Sequence, residues 1–139
     1  MNILWISIDN KFMKNKIIYS DGYTIGKNPS KIGGGYIVMD DEKNILCHKE
    51  IKSKYFTNNE AELLGVARAI ELAGLRDTVI TDSRIALCWV MYRKCTARPD
   101  LKKIAISAYE EMRKKFIILK QEGRESNLAG NYIENVLKM

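Results

Sequence analysis

The sequence predicts an α/β domain: a five-stranded mixed sheet, three antiparallel strands followed by parallel ones, with helices on both faces. Three observations predict it. Between Ile17 and Ile51, β-rich segments alternate with short stretches rich in Gly, Asn and Asp, the spacing of a meander. At Thr57 the pattern turns helical and then returns to the short apolar run Thr78–Thr81. Strand–helix–strand order of that kind implies a parallel crossover. The 139 residues contain no internal repeat, low-complexity tract or linker, which fits one domain with a single real core.

Each element follows in turn. Leu4, Ile6 and Ile8 alternate, so residues 1–15 read as an N-terminal extension forming an added edge strand or hairpin, and residues 16–139 as the domain proper. Ile17–Ser20 is a first strand running into Asp21-Gly22 and a polar loop with Gly26, Asn28 and Pro29. Gly34–Met39 and Ile45–Ile51 are the second and third strands. Gly33-Gly34-Gly35 lacks the strand–loop–helix setting and the Lys-Ser/Thr ending of a nucleotide-binding loop, and so reads as strand entry. Thr57 and Glu60 have capping-box spacing. Leu63, Ala67, Ile70 and Gly74 then recur at helical spacing, with Gly74 as the stop. Thr78–Thr81 is the fourth strand. Helices are predicted over Ser83–Tyr92 and Pro99–Lys114, a fifth strand over Phe116–Leu119, and a last helix over Asn127–Leu137.

Composition narrows the function. Hydrophobic residues make up 46% and charged residues 29%, ordinary for a soluble globular domain. No run approaches the ~18–20 apolar residues of a membrane span, so no membrane association is expected. The start shows neither a basic leader nor a small-residue cleavage site. Cys47, Cys88 and Cys95 form no metal-binding spacing, and an odd number of cysteines suggests reduced thiols and a cytoplasmic protein. The net charge of +6 is uneven: Arg84 to Arg124 holds eleven Lys/Arg against four Asp/Glu. That stretch is either a solvated helix face or an electrostatic footprint for a phosphate backbone, and charge alone does not choose.

Three acids sit where the local pattern calls for something else. Asp21 ends an apolar strand, Asp82 directly follows Thr78–Thr81, and Glu62 lies in a first helical turn between Ala61 and Leu63. In a crossover joining neighbouring strands, all three can meet at one edge of the sheet. Carboxylates so placed raise one another's pKa unless a cation lies between them. Hard oxygen ligands suit Mg²⁺ or Mn²⁺, and two such ions ~3.5–4 Å apart can drive in-line displacement at a phosphodiester. Taken singly, each acid has a plainer reading. Asp82 and Glu62 could complement helix dipoles, and Asp21-Gly22 is a common turn dipeptide.

Tyr19-Ser20-Asp21-Gly22, Thr57-Asn58-Asn59-Glu60-Ala61-Glu62-Leu63 and Thr81-Asp82-Ser83 together resemble the signature of ribonuclease H type 1, from about Lys16 to the C-terminus. The resemblance implies an endonuclease that hydrolyses the RNA strand of RNA–DNA hybrids with two metal ions and no small-molecule cofactor. It assigns Asp21, Glu62 and Asp82 to the metals. It assigns Asn58, Asn59 and the backbone near Gly22 to the RNA strand, whose 2′-hydroxyls distinguish it from DNA. Arg84 and Thr57 would touch substrate. Helix capping is the alternative use of Thr57 and Asn58.

The sequence also departs from that signature. Aligning Asn127 with the family's Asn leaves Asn131 where a fourth metal-binding Asp is expected; the fourth ligand is then either Asn131, through one neutral oxygen, or Glu134, the favoured candidate, one helical turn on. The loop His of the family is missing. His48 lies in a strand and reads as structural, which leaves Arg124 or Lys120 to meet phosphate. The family's basic protrusion is absent too, and Arg93, Lys94, Arg98, Lys102 and Lys103 are candidates to compensate. Two other functions stay open: a binding module that lost a metal ligand, and a DNA-directed nuclease of the same fold, against which the Asn pair argues. Oligomeric state is open, with a monomer the simpler expectation.

Overall fold

In the computed structural model, which describes residues 15–139, β1 (Ile17–Thr24), β2 (Gly33–Asp40) and β3 (Ile45–Lys52) form an antiparallel meander. α1 (Asn58–Leu72) crosses to β4 (Thr78–Thr81), which runs parallel to β1. After α2 (Arg84–Tyr92) and α3 (Lys102–Lys114), β5 (Ile118–Gln121) joins β4 in parallel. α4 (Leu128–Tyr132) then opens into a wider π turn over Ile133–Leu137. The sheet order is β3-β2-β1-β4-β5, the mixed sheet read from the sequence. The extension predicted over residues 1–15 lies, but for Asn15, outside the described residues.

Alternation along the strands divides the core between the two faces. Ile18, Val38 and Val79 pack with Leu63, Val66 and Ile70 of α1, Val90 of α2 and Ala105 of α3. On the other face Tyr23, Ile37 and Met39 pack with Ala129 and Ile133 of the last helix. Each large side chain so buried contributes about 1.5–3 kcal/mol, and most of that burial is on the three-helix face.

Several predicted boundaries shift. β1 continues through Thr24 because Gly22, Tyr23 and Thr24 keep antiparallel partners in Tyr36, Gly35 and Gly34. Asp21-Gly22 is therefore strand interior and not a turn. α1 stops at Leu72, before Gly74, because the Lys115 ammonium donates to the carbonyls of Ile70, Glu71 and Ala73 at 3.1, 2.8 and 2.9 Å. Pro99–Leu101 is a 3₁₀ turn leading into α3. β5 begins two residues later than its apolar run: Phe116 adopts φ 55° just beyond α3, and Ile117 turns inward to the core.

Candidate active site

The register of the parallel pair brings the first two acids together. β1 and β4 are matched at Tyr19 and Ile80, and two residues further along each strand stand Asp21 and Asp82. Period-2 alternation turns Asp21 to the same face as Tyr19 and Tyr23. Asp82 sits in the step between β4 and α2, where Ser83 Oγ accepts the Ala86 N–H at 3.0 Å and caps the helix.

Glu62 arrives from α1, and Gly22 lets it in. A Cβ on Gly22 would stand 2.4 Å from the Ala61 carbonyl carbon, so the first turn of α1 packs directly on strand backbone. The Gly22 N–H donates to Glu62 Oε1 at 2.7 Å. Thr57 begins that turn, its Oγ1 accepting the Glu60 N–H at 3.1 Å. The capping box stays half-formed, because the Glu60 carboxylate instead accepts from Arg98 Nη2 at 3.0 Å. Asn28 Oδ1, from the β1–β2 loop, accepts the Asn58 N–H at 2.9 Å.

One carboxylate oxygen from each of Asp21, Glu62 and Asp82 lies within 4.8 Å of those of the other two. Asp21 and Glu62 are buried, and Asp82 is half-buried. Burial, reinforced by the neighbouring Asp82 charge, pushes Asp21 up to about 6. Burial followed by repulsion from Asp21 holds Glu62 well above the usual carboxylate range. Glu62 Oε2 is buried with no hydrogen-bond donor near it. An acceptor so placed costs free energy unless a proton or a cation meets it. Three hard oxygen donors around such an atom fit a divalent ion of the Mg²⁺ or Mn²⁺ kind.

The cluster opens on a cleft of about 450 Å³ that Gly22, Asn58, Arg84 and Arg124 also line. Arg124 tempers the charge at Asp21. Thr57 and Asn59 stand outside this lining, and the Thr57 hydroxyl is engaged in capping.

Among the described residues no fourth carboxylate joins the cluster. Asn131 Nδ2 donates to the Glu125 carbonyl at 3.3 Å, and the exposed Glu134 carboxylate faces Arg124 Nε at 4.0 Å. Gly130 of α4 packs closely on Asp21: a Cβ there would be 3.1 Å from Asp21 Oδ2. The helix is held in that place by Asn127, fully buried, which donates to the Ser20 carbonyl at 3.0 Å and accepts the Gly130 N–H at 3.0 Å. Sequence reading used Asn127 only to align the segment. Its signal was a cap residue just ahead of the last apolar helix.

Of the basic candidates, Arg98 is spent on the fold. Its guanidinium meets Glu60, Asp100 and, at 3.4 Å, Thr57 Oγ1. His48, the only histidine, shares a 2.8 Å hydrogen bond with the Tyr23 hydroxyl.

The family described as RNase H matches residues 13–128. Among solved structures, the N-terminal RNase H domain of a Mycobacterium tuberculosis protein, determined as a fusion with maltose binding protein, is 24% identical. That likeness covers 84% of this chain and 93% of that one, with a TM-score of 0.63. RNase H1 of the halophilic archaeon Halobacterium salinarum is 20% identical over 90% and 99%, with a TM-score of 0.64. LC11-RNase H1 in complex with an RNA/DNA hybrid is 24% identical over 81% and 88%, with a TM-score of 0.58. No curated protein sequence matches the chain.

Proposed function

The chain belongs to the ribonuclease H family, and from that membership together with the three-acid cluster we propose that it hydrolyses the RNA strand of RNA–DNA hybrids at a divalent-metal site. The observation that carries the reading is the convergence of Asp21, Glu62 and Asp82 around a buried, unpartnered Glu62 oxygen. A solved relative, LC11-RNase H1, is itself complexed with an RNA/DNA hybrid.

Asp21, Glu62 and Asp82 would hold Mg²⁺ or Mn²⁺. Bound there, such ions supply an activated water and neutralise charge developing at the phosphodiester. Two ions belong to the proposal, which these three carboxylates would hold. The residues' own tasks follow from their placement. Gly22, through its N–H, fixes the Glu62 carboxylate before substrate arrives, which is preorganisation. Asn58 borders the cleft at the start of α1 and is suited to a ribose 2′-hydroxyl, with Asn59 beside it in sequence. Arg84 and Arg124 flank the cleft from two different elements, and each can hold a backbone phosphate. Thr57 contributes through the cap that sets this turn. No helix among the described residues is long and apolar enough to cross a membrane. A cytoplasmic setting is part of the proposal, supported by three free thiols.

The test is cleavage of a labelled hybrid with Mg²⁺ and then Mn²⁺. The expected result is metal-dependent cutting of the RNA strand alone, abolished in Asp82→Asn. A second reading, a hybrid-binding module without catalysis, draws on the missing fourth carboxylate. Tight binding without cutting in either metal would select it.

A further inference from the structure

A second group of cations lies away from the carboxylate cluster. Arg93, the left-handed residue that closes α2, stacks its guanidinium on the Tyr109 ring, with Cζ 4.1 Å from the ring centre. Arg113, one turn along α3, holds its Cζ 5.9 Å from the same centre and donates to the Tyr109 hydroxyl at 3.3 Å. Lys114 and Phe116 complete a shallow cleft of about 720 Å³, with Glu110 its one acid. Among the described residues, none of Arg93, Arg113 and Lys114 has a carboxylate within ion-pairing distance. By contrast the neighbouring Lys115 is paired to Glu111 at 3.1 Å.

Phe116 is the unexpected member. It occupies the position just past a helix where a left-handed backbone favours glycine, at φ 55°, yet it is a large aromatic left 70% exposed. Packing gives no reason for it, since the core is served by the next residue, Ile117. The fold therefore presents two guanidiniums converging on one ring, an ammonium, and an open aromatic face. Three cations against the single acid Glu110 leave the cleft net positive, which suits an anion, and an exposed ring beside them suits a flat base. A phosphate chain carrying bases supplies both.

We propose that the Arg93–Tyr109–Arg113 cleft is a second nucleic-acid site, which takes an unpaired strand by its phosphates while Phe116 stacks a base. The site stands apart from the catalytic one. Phe116 leads into β5 at the N-terminal edge of the parallel strands, and the three carboxylates lie toward their C-terminal ends. Cleavage and strand capture can therefore fail separately.

The experiment is fluorescence anisotropy of the full chain with a labelled single-stranded DNA of about 12 nucleotides. Arg93→Gln/Arg113→Gln should raise its Kd about tenfold and reduce the salt slope by about 1.4, the value for two single-strand phosphate contacts. Phe116→Gly, which relieves the backbone, should weaken binding about fivefold, the low end for one lost stacked base. Lys49→Gln/Lys52→Gln, which removes two exposed charges on β3, should bind the strand like wild type. An unchanged Kd in both patch variants would overturn the proposal. So would an equal loss of strand binding in the Lys49/Lys52 variant, or capture of a phosphorylated peptide with no affinity for the strand.

Discussion

The Gly22 N–H donates to Glu62 Oε1 across 2.7 Å, and the bond exists because nothing projects from Gly22 toward α1. A methyl at this position would meet the Ala61 backbone, and a backbone atom cannot rotate aside. Gly22→Ala is expected to destabilise the fold by about 3 kcal/mol through overpacking. It should also weaken Mn²⁺ binding, because α1 carries Glu62 outward as it moves. Chemical denaturation and calorimetric Mn²⁺ titration check the two effects. A fully stable variant with unchanged metal affinity would refute the close packing.

Asp21 gives a pH dependence with a definite sign. Its pKa rises on folding from 3.8 to about 6, so the native state holds the proton more tightly than the unfolded chain. Its contribution is full below about pH 4 and is lost as pH rises through 6, a change on the order of 2–3 kcal/mol in metal-free protein. Asp21→Asn should therefore raise Tm by several degrees at pH 8 and change little at pH 4. Mn²⁺ should raise the wild-type Tm more at pH 8 than at pH 5. Thermal melts across pH, with and without the ion, measure all of this.

The fourth-ligand question separates two carboxylates. Glu134 faces Arg124 and not the cluster, so Glu134→Gln should leave Mn²⁺ affinity within about twofold, the scale of a surface change. Asp82→Asn removes a cluster oxygen and should lower affinity by tenfold or more, on the order of 1.4 kcal/mol. Equal losses in the two variants would return Glu134 to the metal site.

Two arginines should behave oppositely in salt. Arg124→Ala is expected to reduce the slope of log binding constant against log salt by about 0.9, one phosphate contact to the hybrid. Arg98→Ala should leave that slope unchanged while costing about 1–2 kcal/mol of stability, because its guanidinium is already used by Thr57, Glu60 and Asp100. A salt slope that falls with Arg98 would mean that its charge reaches the nucleic acid.

The strand and helix order was legible from β-rich runs punctuated by turn residues and from the cap residues Thr57 and Ser83 that open the helices. Topology allowed Asp21, Glu62 and Asp82 to meet, since a parallel crossover makes their elements neighbours, and the resemblance to ribonuclease H assigned them to one site. Long-range partners were not legible. Thr24 ends β1 only because Gly34 pairs with it, and α1 stops at Leu72 because Lys115, far along the chain, caps it. The orientation of Glu134 was not legible either. Regular helical spacing would carry it back toward Asn131, but the last helix opens into a π turn at Ile133, and the exposed side chain stands 4.0 Å from Arg124.

Asn127 joins the last helix to the strand that carries Asp21, 107 residues separating donor and acceptor. During synthesis, strands, helices and all three acids are laid down before this residue exists. A chain ending just short of it would own every carboxylate, yet Asp21 would stand open to water on the side that α4 covers, and the Tyr23–Ile37 face of the sheet would be bare. The carboxylate cluster and the cover over one side of it thus come from opposite ends of the described chain, and a single buried amide ties them together.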